Sequence, residues 1–115
     1  MTLATDKCDV EVTVQIDHQF LLDLMTTAVE GGINYWGAVI DLNRDSDLNV
    51  LNFEVTDFEG EEAYTYSVDS IAMLNALQAL IKAYPWRAKM LDGDYDAEDA
   101  DCVVQFACFG ELVYG

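Results

Sequence analysis

Positive charge is what this sequence has least of. Lys7, Arg44, Lys82, Arg87 and Lys89 stand against 22 Asp and Glu, leaving a formal net charge of -17 on 115 residues. Nucleic-acid phosphates are bound through Lys and Arg that displace counterions, so this balance argues against direct contact with DNA or RNA. Histidine is nearly missing too: His18 is alone and sits beside a helix start, which leaves no basis for a His-centred triad. Cys8, Cys102 and Cys108 are odd in number and lack C-x-x-C spacing, so neither a disulfide framework nor a zinc site is expected. Apolar runs are only a few residues long, far below the roughly 20 needed to span a bilayer. Met1–Asp9 carries neither a basic nor a hydrophobic region. The expectation is a soluble protein of the cytoplasm, with no membrane contact.

Apolar residues are not lacking. They make up 52% of the chain, and a disordered acidic tail would have discarded them. At this length the chain should form a single domain, residues 1–115, holding an acidic surface against its own repulsion.

Hydrophobic periodicity gives the expected order of elements. Asp9–Ile16 alternates strictly, with Val10, Val12, Val14 and Ile16 on one side, and reads as a half-buried strand. Asp17 is placed to cap a helix carrying Leu21, Leu24, Met25 and Ala28, with Gly31 and Gly32 as its stop. Strands follow at Ile33–Leu42 and Val50–Asp57, separated by the polar turn Asn43–Asn49, and Ala63–Tyr66 completes a hairpin with Tyr64 and Tyr66 on one face. Ser67 or Asp69 opens a second helix that Pro85 ends, and Asp96 caps a third, Ala97–Phe109, stopped by Gly110. The class is α+β: an antiparallel sheet of about four strands, with helices near 17–30, 69–84 and 97–109 packed mainly on one face.

Chemistry-bearing motifs are few. The run Asp92, Asp94, Asp96, Glu98, Asp99, Asp101 starts like a calcium loop, but the places that want Gly and a bidentate Glu hold Ala97 and Val103. Gly31-Gly32 lacks the remainder of a phosphate loop. No metal site, cofactor or catalytic residue is therefore expected, and the chain does not read as an enzyme.

Two short segments carry a resemblance. V-E-G-G-x-N-Y-W at Val29–Trp36 and F-G-E-L-V-Y-G at Phe109–Gly115 resemble segments of small acidic proteins encoded by phages, prophages and plasmids, whose function is unassigned. The resemblance implies a mobile-element context, and hence the cytoplasm of a host cell. Small acidic proteins of such elements often oppose host defences, some by imitating the charge of DNA and others by sequestering a nucleotide signal.

Two functions follow as expectations. The first is a non-catalytic inhibitor, of anti-CRISPR or anti-restriction type, whose acids take the place of phosphates on the basic surface of a host nucleic-acid-binding protein. Its contact residues would be Asp45, Asp47, Glu59, Glu61, Glu62, Asp92, Asp94, Glu98, Asp99 and Asp101. The second is a small-molecule or nucleotide-signal binding module in which Tyr35, Trp36 and Tyr114 line a pocket, one that could lie between two copies in a homodimer. Arg44, Arg87 and Lys89 discriminate: gathered beside Trp36 they favour the module, while scattered cations and a continuous acidic face favour the inhibitor.

Overall fold

The computed structural model describes residues 14–115 as an α+β fold. The strand expected at Asp9–Ile16 falls mostly outside the described residues, as do Lys7 and Cys8; Val14–Asp17 lead into the first helix without regular structure. Helix α1, His18–Thr27, buries Leu21, Leu22, Leu24 and Met25 along one side. Asp17 occupies its N-cap position without the side-chain hydrogen bond that the sequence suggested.

The glycine pair differs from its expected role. Neither Gly31 nor Gly32 takes the left-handed conformation of a C-cap; both belong to a π-helical turn, Ala28–Gly32, closed by the Ile33 N–H donating to the Ala28 carbonyl at 3.1 Å. Gly32 is required there for close approach, because a Cβ would come within 2.7 Å of the Ala97 carbonyl oxygen. The turn thereby brings its backbone against the start of the last helix.

Strand β1 runs Gly37–Arg44, later than the expected Ile33–Leu42. The amides of Trp36 and Gly37 both donate to the Ile33 carbonyl, so the aromatic and β-branched residues before Gly37 are used in a turn that sends Trp36 into the core. Strand β2, Val50–Asp57, pairs antiparallel with β1 and with β3, Thr65–Asp69, giving among the described residues a three-stranded sheet of order β1-β2-β3, where about four strands were expected. The third strand also starts later than expected: Tyr64 precedes it and is exposed, while Tyr66 leans on the core. The β1–β2 turn is held by Asp45, whose carboxylate accepts from the amides of Asp47 and Asn49.

Asp69 caps α2, Ser70–Ala83, by accepting from the Ala72 amide at 2.8 Å. Pro85 ends that helix and begins a 3-10 segment, Pro85–Asp92, closed by Gly93 at φ 85°. Helix α3, Ala97–Phe109, starts with the expected Asp96 cap, reinforced by Asp99 in a reciprocal capping box, and stops at Gly110 with φ 73°. Phe53, Val55 and Val68 are buried on the sheet face that the helices cover, together with Trp36, Leu24, Met73 and Leu80. The alternate residues Asn52, Thr65 and Ser67 are exposed and Glu54 and Thr56 half-buried, so the opposite sheet face is polar and no helix among the described residues covers it.

Candidate functional site

Two regions bear on function: a buried polar hub beside a cleft, and the outer face of the sheet. The hub centres on Asp101, in the second turn of α3 and almost completely buried. One carboxylate oxygen accepts from the Trp36 indole N–H at 2.7 Å, and the other from the Tyr35 hydroxyl at 2.6 Å. Gln105, one turn later and fully buried, donates to both oxygens and to the Tyr114 carbonyl. Its own side-chain carbonyl accepts from the amides of Val113 and Tyr114, which fastens the C-terminal segment to α3. Tyr114 in turn donates to the carboxylate of Asp57, at 2.9 Å to either oxygen, and stacks on Trp36 with ring centroids 5.7 Å apart.

Asp57 also accepts from the amides of Glu59 and Gly60, so it organises the β2–β3 connection. Burial, the hydrogen bond to Asp57 and that carboxylate's charge push the Tyr114 phenol up to about 12. Burial and Asp101 raise Tyr35 as well. Both phenols are therefore neutral donors across the physiological range.

Beside the hub lies a cleft of about 670 Å3, bounded by the π-helical turn, the first turns of α3 and the C-terminal segment. Tyr35, Arg87, Glu98, Asp101, Cys102 and Tyr114 contribute to its walls. Trp36, expected in an aromatic pocket, is fully buried behind Asp101 and does not line the cleft; Tyr35 and Tyr114 do. Arg87 is buried and donates to Asp99 at 2.6 Å, while its guanidinium lies 4.4 Å over the Trp86 ring. Its buried Nε has no hydrogen-bond acceptor among the described residues. Burial raises the Cys102 thiol and pushes Cys108 up to about 12, which favours the protonated thiol at both positions near neutral pH.

The expected acidic contact set divides. Asp47, Glu59, Glu61, Glu62, Asp92, Asp94 and Glu98 are exposed. Asp99 and Asp101 are not: each is buried, the first committed to Arg87 and the capping box, the second to Trp36, Tyr35 and Gln105, so neither is available to a partner. Asp45 is half-buried and serves its own turn, and the hydrogen bonds from Asn49 hold its carboxyl below the usual carboxylate range.

The β1–β2 turn and the β2–β3 connection stand at opposite ends of the sheet, about 25 Å apart for eight residues at roughly 3.3 Å each. Between them the pairing sets Asp41 directly opposite Glu54. Glu54 alternates with buried Phe53 and Val55 and so faces outward. Sequence reasoning passed over both residues. The signal was available in β2, where Glu54 is the acid between two core residues, but the opposing Asp41 depends on a register shift after Val39.

Among the described residues the ion pairs are Arg87–Asp99 and a loose Arg44–Glu30 contact at 3.7 Å, so no cation pairs with these exposed acids. No group of His, Cys, Asp and Glu among the described residues has the arrangement to hold a metal ion. No helix among them is long and apolar enough to cross a membrane. No protein-family description, curated protein or solved structure matches the chain.

Proposed function

We propose that this chain is a non-catalytic binding protein whose acidic exterior occupies the basic, nucleic-acid-binding surface of another protein. On this reading it is an inhibitor of the anti-CRISPR or anti-restriction kind that the mobile-element resemblance suggests. The observation that carries the reading is the pairing of Asp41 with Glu54 on the sheet face that no described helix covers. Like charges directly opposite on adjacent strands destabilise a sheet, and here they lie between the acidic turn at Asp47 and the acidic connection at Glu59–Glu62, with no cation among the described residues paired to any of them. Such a line of charge is costly to the fold and useful to a surface that must imitate phosphates.

A small-molecule module has one observation in its favour, the cleft beside Tyr35 and Tyr114. A nucleotide is disfavoured as its occupant. Among the described residues the one cation in the walls, Arg87, is already committed to Asp99, and Arg44 lies by Glu30 instead of at the cleft.

The test is affinity capture from a bacterial lysate, followed by elution with salt or with duplex DNA. The reading expects nucleic-acid-binding proteins that are released by both eluents. Retention that DNA does not compete away, or an absence of salt-sensitive partners, would overturn it.

A further inference from the structure

The cleft carries a second inference, about what enters it. Its two tyrosines are fixed at their hydroxyls, Tyr35 by Asp101 at 2.6 Å and Tyr114 by Asp57 at 2.9 Å. A phenol that donates to a carboxylate passes electron density to its ring, which strengthens attraction for a cation, and a ring pinned at its far end is already ordered before binding. Tyr35 is half exposed, and its wall continues into Gly31, where an added Cβ would meet nothing within 4 Å. Glu98 stands exposed on the same wall with no ion-pair partner among the described residues. The positive charge of Arg87 is balanced at 2.6 Å by Asp99, which leaves Glu98 and Asp101 to set the sign of the cleft.

We infer that this cleft receives an arginine side chain from a basic partner protein, the guanidinium lying against Tyr35 and bridging to Glu98. Arginine fits better than lysine because its plane stacks on phenol rings and its fork matches a carboxylate, whereas an ammonium is a compact and strongly hydrated point charge. The inference rests on the proposed function in taking the partner to be a basic protein. The cleft itself is a separate place from the outer sheet face.

The experiment is a chemical-shift titration of the full chain at low salt with N-acetyl-arginine-methylamide, with the lysine equivalent and with adenosine. Saturable shifts are expected at Gly31, Gly32, Tyr35, Cys102 and Val113. Arginine should bind about fivefold more tightly than lysine, the scale of one cation–π contact. Glu98→Gln should weaken arginine binding to a similar degree, and Tyr35→Leu should do the same in a chain that remains folded, with spectral changes confined to the hub around Asp101 and Gln105. Three results would overturn the inference: arginine shifts confined to Asp47, Glu61 and Asp92; equal binding of lysine; or adenosine shifting the cleft where arginine does not. If basic proteins are still captured while arginine leaves the cleft unmoved, only this inference falls. If arginine fills the cleft but no DNA-competed protein is captured, only the proposed function falls.

Discussion

Asp99 and Asp101 sit two residues apart on α3, both buried, and the fold deals with them in opposite ways. Asp99 receives a cation, Arg87, at 2.6 Å. Asp101 receives none among the described residues, and is held instead by the neutral donors of Tyr35, Trp36 and Gln105. The first arrangement is local: 12 residues separate the partners, and the ion pair ties the 3-10 segment to the start of α3. The second is long-range, joining α3 to the turn before β1 across 65 residues and, through Gln105, to the C-terminal segment. A chain with so few cations spends one of them where a helix start must be fixed. It uses hydrogen-bond donors that carry no charge where several segments must meet.

The largest effect should come from breaking the charged side. Arg87→Met leaves the Asp99 carboxylate buried without its cation, and a loss of about 3–5 kcal/mol is expected in urea unfolding. Adding Asp99→Asn to that variant should recover part of the loss, because no charge then remains to be stranded. On the neutral side, Gln105→Leu keeps the volume but removes every partner of the Val113 and Tyr114 amides and one donor to Asp101, and should cost about 2–3 kcal/mol. Asp101→Asn retains an acceptor for Trp36 and should cost less, about 1–2 kcal/mol. If Asp101→Asn proves worse than Arg87→Met, the ranking of the two arrangements is reversed.

Alkaline titration sharpens the same contrast, because the groups around the neutral hub lose protons at high pH. The folded chain raises Tyr114 from 10.0 to about 12 and Cys108 from 9.0 to about 12, and it also raises Tyr35. A group whose pKa is raised on folding contributes stability that is whole below its unfolded value and is lost as pH climbs to the folded one. Melting temperature should therefore hold up to about pH 9 and fall between pH 9 and 12. Tyr114→Phe should make that fall shallower. A melting temperature unchanged through pH 12 would contradict the hydrogen-bonded hub.

Much of the fold was legible where the determinants are local. Asp96 with Asp99 three residues on, Gly110 beyond Phe109, Asp69 before an apolar periodic run and Pro85 after it all signal helix ends within one turn of chain, and the structure uses each of them. Strand β2 lies where alternation places it. The start of β1 was not legible, because Ile33, Tyr35 and Trp36 have strand propensity but are drawn into a turn by the burial of Trp36 against Asp101. The hub was hidden for a related reason. In an acidic run every carboxylate looks like solvent-facing charge, and only the helical phase distinguishes Asp101. It shares the stripe of Ala97, Ala100, Val104 and Gln105, so a carboxylate and an amide in that apolar stripe pointed to buried polar partners, but those partners lie far away in sequence.

A double variant on the outer sheet face tests whether its acids are kept for binding at a cost to the fold. The double variant Asp41→Asn, Glu54→Gln removes the like-charged pair and touches neither the hub nor any helix cap. Its stability and its retention of the captured, DNA-competed partner are measured side by side. A gain of about 0.2–1 kcal/mol in stability is expected, together with a clear loss of partner binding. A variant that binds as well as the parent, whatever its stability, would show that the acids on this face serve solubility alone.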